Sequence, residues 1–176
     1  MKRTLPSSPS AATLRWRAGS AGEGPALPAL RREVAARGLG GNVCFVGYLD
    51  RGGALLDCYR GANAFVFASR TETQGLVLLE AMALGLPVVS TAVMGTRSVL
   101  GGARGAIVVN EDAAQFAAAV EMVLKNPELQ ASLGQQAARH VDAHWSSAEM
   151  ARRLMELYRQ VLRPATASAP ALRSVA

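Results

Sequence analysis

The stretch "SRTETQGLVLLEAMALGLPVV", residues 69–89, holds one carboxylate, Glu80, in the middle of a long apolar run. A charged group in apolar surroundings costs several kcal/mol unless a partner or a ligand compensates it. Gly75 precedes the run, and Gly85 with Pro87 ends it, which predicts a helix over 75–85. Glu80 therefore lies within an apolar helix, and its carboxylate requires a hydrogen-bonding partner.

Short apolar runs alternate with helical patterns on both sides of this helix. Runs rich in Val and Phe predict four buried strands, over residues 42–47, 63–69, 86–91 and 105–110. Two further helices are predicted over residues 25–38 and 53–62. This alternation is typical of an α/β fold, a Rossmann-like parallel sheet with helices on both faces.

The last third of the chain contains helical patterns only. Helices are predicted over residues 111–126, 127–144 and 147–162, and Ser146 with Glu149 forms a capping box before the last of them. These helices predict a C-terminal helical annex to the sheet.

Composition and charge indicate one folded region between two atypical ends. Half of the 176 residues are hydrophobic, and no apolar run reaches the ~18 residues of a membrane span. The ends are rich in Pro, Ser and Ala, so we expect disorder over 1–21, one domain over 22–162 and a disordered tail over 163–176.

The net charge of +6 arises almost wholly from those ends. The middle of the chain is close to neutral, which argues against a nucleic-acid partner. Solvated tails are the favoured interpretation, and a weak peripheral attraction to anionic lipid is the alternative. No secretory signal is visible in the first residues, which favours the cytoplasm, with contact at the inner face of the membrane left open.

Cysteine and histidine indicate neither a disulfide framework nor a metal site. Cys44 and Cys58 are too few for such a framework and are predicted to fill core space. His140 and His144 lie four apart on one helix face, but no third ligand is evident, so a solvated face is favoured over zinc. Dinucleotide, P-loop and hydrolase motifs are absent, and no cofactor is expected.

The loop before Gly75 is the candidate binding site. It follows a predicted strand, and open α/β sheets bind ligands at the carboxyl ends of their strands. Backbone N–H groups of Gly75, Leu76 and Val77 are expected to be unpaired and to favour an anion such as a diphosphate. Gly75 has no side chain, which is expected to permit close approach of the ligand.

Two carboxylates flank this helix start with seven residues between them. Glu72 lies in the loop and Glu80 in the second turn, where they suit the hydroxyls of a ligand whose phosphates meet the amides, as in a nucleotide-sugar. In the alternative, Glu72 only complements the helix dipole and Glu80 is a paired core ion. The residues alone leave both interpretations open.

"TETQGLVLLEAMALGLPVV" resembles the E-x7-E signature of retaining glycosyltransferases with the GT-B fold, known as family 4 or group 1. Segments such as "NVCFVGYL" and "HWSSAEMARRLMELYRQVL" extend the resemblance over residues 22–162. It implies the donor-binding half of such an enzyme, with Glu80 on the ribose hydroxyls and Glu72 as the catalytic carboxylate that contacts the transferred sugar near its reacting carbon. The other substrate-binding positions that it implies are Thr73, Gln74, Gly75, Leu76 and Val77.

The resemblance also implies a reaction: transfer of a hexose from a nucleotide diphosphate to a hydroxyl without a metal ion. Gln74, where an aromatic is common, and "STAVMGT" look most like bacterial members that modify lipids or envelope polymers. Residues 94–100 depart from the common GG-x-x-E pattern, so no acidic contact is assigned there.

Residues 1–21 match neither the acceptor domain of such an enzyme nor the Arg and Lys pair expected on its diphosphate. The isolated chain is therefore predicted to be inactive, as a truncated product. The alternatives are a non-catalytic nucleotide-sugar-binding subunit that works with a separate acceptor-binding domain, or a remnant without function.

Overall fold

The computed structural model describes residues 17–50 and 52–162, which form five strands and seven helices. In chain order these elements are β1 (Ala18–Ala21), α1 (Leu27–Ala36), β2 (Val43–Gly47), α2 (Ala54–Arg60), β3 (Phe65–Phe67), α3 (Leu76–Ala83), β4 (Val88–Ser90), α4 (Gly95–Leu100), β5 (Ala106–Val108), α5 (Ala113–Lys125), α6 (Pro127–Trp145) and α7 (Ser147–Leu162). The α/β class with parallel sheets flanked by helices is confirmed. No described helix combines the length and the hydropathy needed to cross a bilayer.

Contacts divide the chain into two compact units, Met1–Cys58 and Tyr59–Ala176. In the described part of the first unit, β1 pairs with β2 in parallel, from Ala18 opposite Val43 to Ala21 opposite Gly47. The α1 helix buries none of its residues, and its Arg31 guanidinium lies 4.9 Å from the centre of the Phe45 ring. A single domain over 22–162 stays a prediction.

The second unit is built around a three-stranded parallel sheet in the order β3, β4, β5. β4 is buried along its whole length because strands pair with both of its edges and α3 and α5 pack against it. β3 and β5 each expose one residue, Val66 and Val108. The prediction of four buried strands is therefore right for β4 alone, since burial depends on the position of a strand in its sheet.

Two glycines let the backbone of α6 lie directly against other elements. A Cβ at Gly134, inside α6, would overlap the carbonyl oxygen of Gly85 just beyond α3. A Cβ at Gly105, before β5, would overlap the backbone of Ala137, which is fully buried. The α6 helix therefore fixes the end of α3 and the start of β5 by backbone contact.

The order of strands and helices over the middle of the chain agrees with the sequence-based prediction, with three differences. The strand Ala18–Ala21 falls in a segment expected to be disordered, while residues 1–16 and 163–176 lie outside the described residues. Helix α4, Gly95–Leu100, was not predicted, because six residues show no helical periodicity. Cys44 and Cys58 are free and exposed, so their prediction as core residues is wrong; Cys44 faces out by the alternation of β2.

One of the two hydrogen bonds of the predicted capping box at α7 is present. The backbone N–H of Glu149 donates to Ser146 Oγ at 3.3 Å. The Glu149 carboxylate instead accepts hydrogen bonds from Arg152 and Arg153, and these bonds lower its pKa to about 2. The Glu149 side chain, which was expected to cap the helix, thus pairs with arginines of the same helix instead.

Gly134→Ala tests the backbone contact between α6 and α3. We expect a loss of roughly 1–3 kcal/mol of stability, because the methyl group has no space and the helix must shift. Thermal unfolding followed by circular dichroism measures the effect. Gln135→Ala, at an exposed position of the same helix, is the matched control and should melt at or above the wild-type temperature. Equal melting of both variants would contradict the contact.

Candidate functional site

Two neighbouring loops form the candidate site, and both lie in the second unit. One runs over residues 68–75, from β3 to α3, and the other over residues 91–94, from β4 to α4. Because β3 and β4 are parallel neighbours, both loops leave the sheet at its carboxyl edge. The predicted residues from Glu72 to Val77 lie in the first loop and the first turn of α3.

Glu72 closes its own loop. Its Oε1 accepts hydrogen bonds from the backbone N–H groups of Gln74 and Gly75, each at 3.0 Å. These two bonds lower the pKa of Glu72, because N–H donors favour the ionised carboxylate. The backbone N–H of Thr73 lowers this pKa further. Glu72 is therefore held as an anion by backbone donors of its own loop.

This geometry changes the set of amides available at the helix start. The N–H of Gly75, predicted to be unpaired, is bonded to Glu72. The N–H groups of Leu76 and Val77 find no acceptor among the described residues, as the prediction required. Two backbone donors, not three, therefore remain for a ligand at the start of α3.

Gly75 serves the fold more directly than it serves ligand approach. It is buried with a φ of 70°, a left-handed conformation that favours glycine. A Cβ there would lie 3.3 Å from both Leu78 Cδ1 and Val99 Cγ2, side chains of α3 and α4. The missing side chain thus points at packed residues, and the reason predicted for a glycine at this position is wrong.

The second loop holds the first in place through Gly95. The N–H of Gly95 donates to the backbone oxygen of Glu72 at 3.1 Å. A Cβ at Gly95 would overlap the carbonyl oxygen of Thr73, so only glycine allows the two backbones to lie this close. Sequence reasoning missed this role of Gly95, although a glycine that opens a helix after a strand is a signal of close backbone approach.

Glu80 lies on the side of α3 opposite the buried stripe of Leu78, Ala81 and Met82. It is half-buried, and the hydroxyl of Tyr59 donates to its Oε2 at 3.3 Å. Helical side chains tilt toward the N-terminus, so Glu80 leans toward the first turn, where the Leu76 amide lies. The carboxylate in the apolar run therefore has a protein partner.

Tyr59 is a second residue that sequence reasoning missed as part of the site. It is 6% exposed, and its ring meets Phe65 edge to face with centroids 5.6 Å apart. On the helix that the sequence predicts over 53–62, Leu55, Leu56 and Tyr59 share one face. A phenol on such a face needs a hydrogen-bond partner, and that requirement was the available signal.

The rest of this edge carries an exposed ion pair. Arg70, after β3, pairs with Glu111, after β5, at 2.9 Å, an exposed pair that contributes little stability. Residues 17–50 and 52–162 contain no cluster of three His, Cys, Asp or Glu able to hold a metal ion.

His140 and His144 of α6 have ring centroids 4.8 Å apart. Burial lowers the pKa of His140 most, and the charge of His144 lowers it further.

The two amides bonded to Glu72 give a prediction for pH. As pH falls through the lowered pKa of Glu72, protonation weakens both bonds, so the loop is least ordered in acid. We expect the Gln74 and Gly75 N–H resonances to shift together, with a midpoint below the ordinary range of Glu. Heteronuclear NMR between pH 2 and 7 measures the midpoint. In Glu72→Gln the acid shift should vanish, and a wild-type midpoint at or above the ordinary range would refute the bonding.

Comparison with known proteins shows the family of this chain. The model of the family "Glycosyl transferases group 1" matches residues 14–140. The D-inositol 3-phosphate glycosyltransferase of Thermobispora bispora is 36% identical over 148 residues, which are 82% of this chain and 34% of that protein. The α-D-kanosaminyltransferase of Streptomyces kanamyceticus is 31% identical over 142 residues, 80% of this chain and 36% of that protein. The chain thus spans about a third of the length of these relatives.

Solved structures share the fold over most of the chain. Sucrose-phosphate synthase from Thermosynechococcus elongatus superposes with a TM-score of 0.66 and 28% identity, over 81% of this chain and 37% of that one. HepE from Anabaena, solved in complex with UDP, gives a TM-score of 0.70 at 16% identity, over 85% and 43% of the two chains. With the family match over more than two thirds of its residues, the chain belongs to the group 1 glycosyltransferases.

Proposed function

We propose that this chain is the C-terminal, donor-binding half of a retaining glycosyltransferase of family 4, and that it binds a nucleotide-diphosphate sugar at the start of α3. The observation that carries the proposal is the arrangement of Glu72, two available amides and Glu80 within nine residues of one loop and helix. The group 1 family match and the structural relative solved with UDP support a nucleotide donor.

The diphosphate binds at the N–H groups of Leu76 and Val77. Both lie in the first turn of α3, where unpaired donors and the helix dipole favour an anion. The hydrogen bonds and the dipole stabilise the leaving diphosphate in place of a metal ion. Because Glu72 takes the Gly75 amide, the phosphates meet the helix beyond that residue.

The ribose hydroxyls bind to Glu80. An ionised carboxylate accepts at about four lone-pair positions, so the Tyr59 hydrogen bond is compatible with two hydroxyl donors. Tyr59 is buried and packed against Phe65, so its hydroxyl fixes the orientation of the carboxylate before ligand arrives. The apolar neighbours of Glu80 strengthen each of these charge-assisted bonds.

The transferred sugar lies over the loop 72–75. The lowered pKa of Glu72 keeps it ionised at neutral pH, which suits stabilisation of positive charge at the reacting carbon and excludes a role as general acid. Thr73 and Gln74 are exposed on the same loop and supply polar contacts to the sugar. Specificity for the sugar therefore resides in this loop.

The acceptor is a lipid or glycan hydroxyl, and its binding belongs to another domain, supplied by the remainder of a longer chain or by a partner. That placement rests on the length of the relatives, of which this chain covers about a third. A cytoplasmic enzyme with peripheral contact at the inner face of the membrane fits a lipid acceptor.

Glu80→Gln tests the ribose contact. We expect roughly 10–100-fold weaker binding of a nucleoside diphosphate, because a hydrogen bond to a charged group contributes ~1.5–3 kcal/mol. Calorimetric titration with UDP and GDP measures the affinity, and thermal melting confirms folding. Glu121→Gln, on the surface of α5, is the matched control and should bind like wild type. Equal affinity of wild type and Glu80→Gln would remove Glu80 from the site.

A second prediction concerns the isolated polypeptide. We expect the 176-residue chain alone to bind donor but to transfer no sugar, because alignment of donor and acceptor supplies ~7–11 kcal/mol of the barrier. A radiolabelled donor assay over lipid, sugar and polymer acceptors is the measurement, with donor binding confirmed on the same preparation. Transfer without a partner would show that the chain holds an acceptor site of its own.

A further inference from the structure

Met94 adopts a backbone conformation that suits glycine. It directly precedes α4 with φ 53° and ψ −126°, outside the regions that side chains with a Cβ normally occupy. Ala92, two residues earlier, also has a positive φ, of 48°. Strain of this kind concentrates at functional sites, where surrounding contacts enforce it.

The contacts around Met94 fix its backbone. Gly95, the next residue, donates to the Glu72 oxygen, and the oxygen of Met94 accepts from the Arg97 N–H at 3.0 Å. On the other side, Thr96 Oγ1 donates to the oxygen of Val93 at 2.6 Å, and Thr96 is fully buried. Hydrogen bonds on both sides of Met94 thus hold its backbone in place.

The side chain of Met94 gains little from the fold in return. It is 59% exposed, whereas Ala92 is 9% exposed and part of the core. Glycine at position 94 would form the same turn with less strain and lose little buried area. The fold therefore does not require a large apolar side chain at this position.

We propose that Met94 is a ligand-contacting residue whose thioether packs against the apolar C–H face of the sugar of the bound donor. Met94 directly precedes Gly95, whose N–H donates to the Glu72 oxygen, so the backbone of Met94 lies beside the loop on which the sugar is placed, and its exposed side chain is in reach of a ligand there. A flexible, polarisable methionine suits the irregular face of a sugar ring. This inference rests on the proposed function of the loop 72–75.

Two substitutions at Met94 distinguish the effect of its side chain on ligand affinity from the effect of its backbone strain on stability. Met94→Ala removes the side chain but keeps a Cβ in the strained conformation, while Met94→Gly removes both. Affinities for UDP-glucose and UDP, with GDP-mannose and GDP in parallel, are measured by calorimetry. Both variants should bind the nucleotide-sugar about fivefold more weakly and the nucleoside diphosphate unchanged. Met94→Gly alone should raise the melting temperature, by roughly 1–4 °C.

Two controls make the result decisive. Met94→Leu keeps an apolar side chain of similar size and should retain the affinity for nucleotide-sugar. Ala92→Gly relieves strain in the same loop without removing a side chain of comparable length, and should leave both affinities unchanged. Wild-type affinity for nucleotide-sugar in Met94→Ala would overturn the Met94 contact while donor binding stands. Failure of the wild-type chain to bind any of the four probes would overturn the proposed function and this contact together.

Discussion

The backbone hydrogen bond from Gly95 to Glu72 joins the two loops that leave β3 and β4. It requires the absence of a side chain at Gly95, and it sets the position of the turn through Thr73. That turn brings the N–H groups of Gln74 and Gly75 to the Glu72 carboxylate, which in turn fixes where α3 begins. The positions of the Glu72 carboxylate and of the Leu76 and Val77 amides therefore depend on one close contact between backbones.

A carboxylate at the start of a helix also determines where an anion can bind. Glu72 partly neutralises the positive end of α3 and repels a phosphate placed beside it. Hydroxyl groups, which donate hydrogen bonds, are the groups that an acceptor-only carboxylate favours. In the proposed binding mode the sugar therefore lies nearest to Glu72, and the diphosphate is displaced toward Leu76 and Val77. One ionised side chain would thus set the direction of the donor along the loop.

The sequence predicted the class of fold and the position of the 68–75 loop at the carboxyl edge of the sheet, because both follow from local patterns. Apolar runs bounded by Gly75, Gly85 and Pro87 define an α/β alternation, and alternation implies a parallel sheet with its loops at one edge. Such patterns could not predict which residues contact Glu80 and Thr73. Tyr59 meets Glu80 across 21 positions in the chain, and Gly95 meets Thr73 across 22, so neither contact leaves a periodic signal. Burial of the strands failed for the same reason, since it depends on which strand is central.

The carboxylate within the apolar run illustrates how fold and ligand share one group. Tyr59 lowers the cost of a half-buried Glu80 in the unliganded protein, and its buried ring ties the hydroxyl to the packing of β3. The Tyr59 hydroxyl, a neutral donor at 3.3 Å, uses one of the about four lone-pair positions of an ionised carboxylate. In the proposed binding mode, hydroxyls of the ligand add bonds in surroundings poorer in water than the bulk, so the acid is tolerable without ligand and more favourable with it. More protein donors on Glu80 would stabilise the fold further but leave fewer lone pairs for the ribose, which is the trade-off expected of a binding residue placed on a helix.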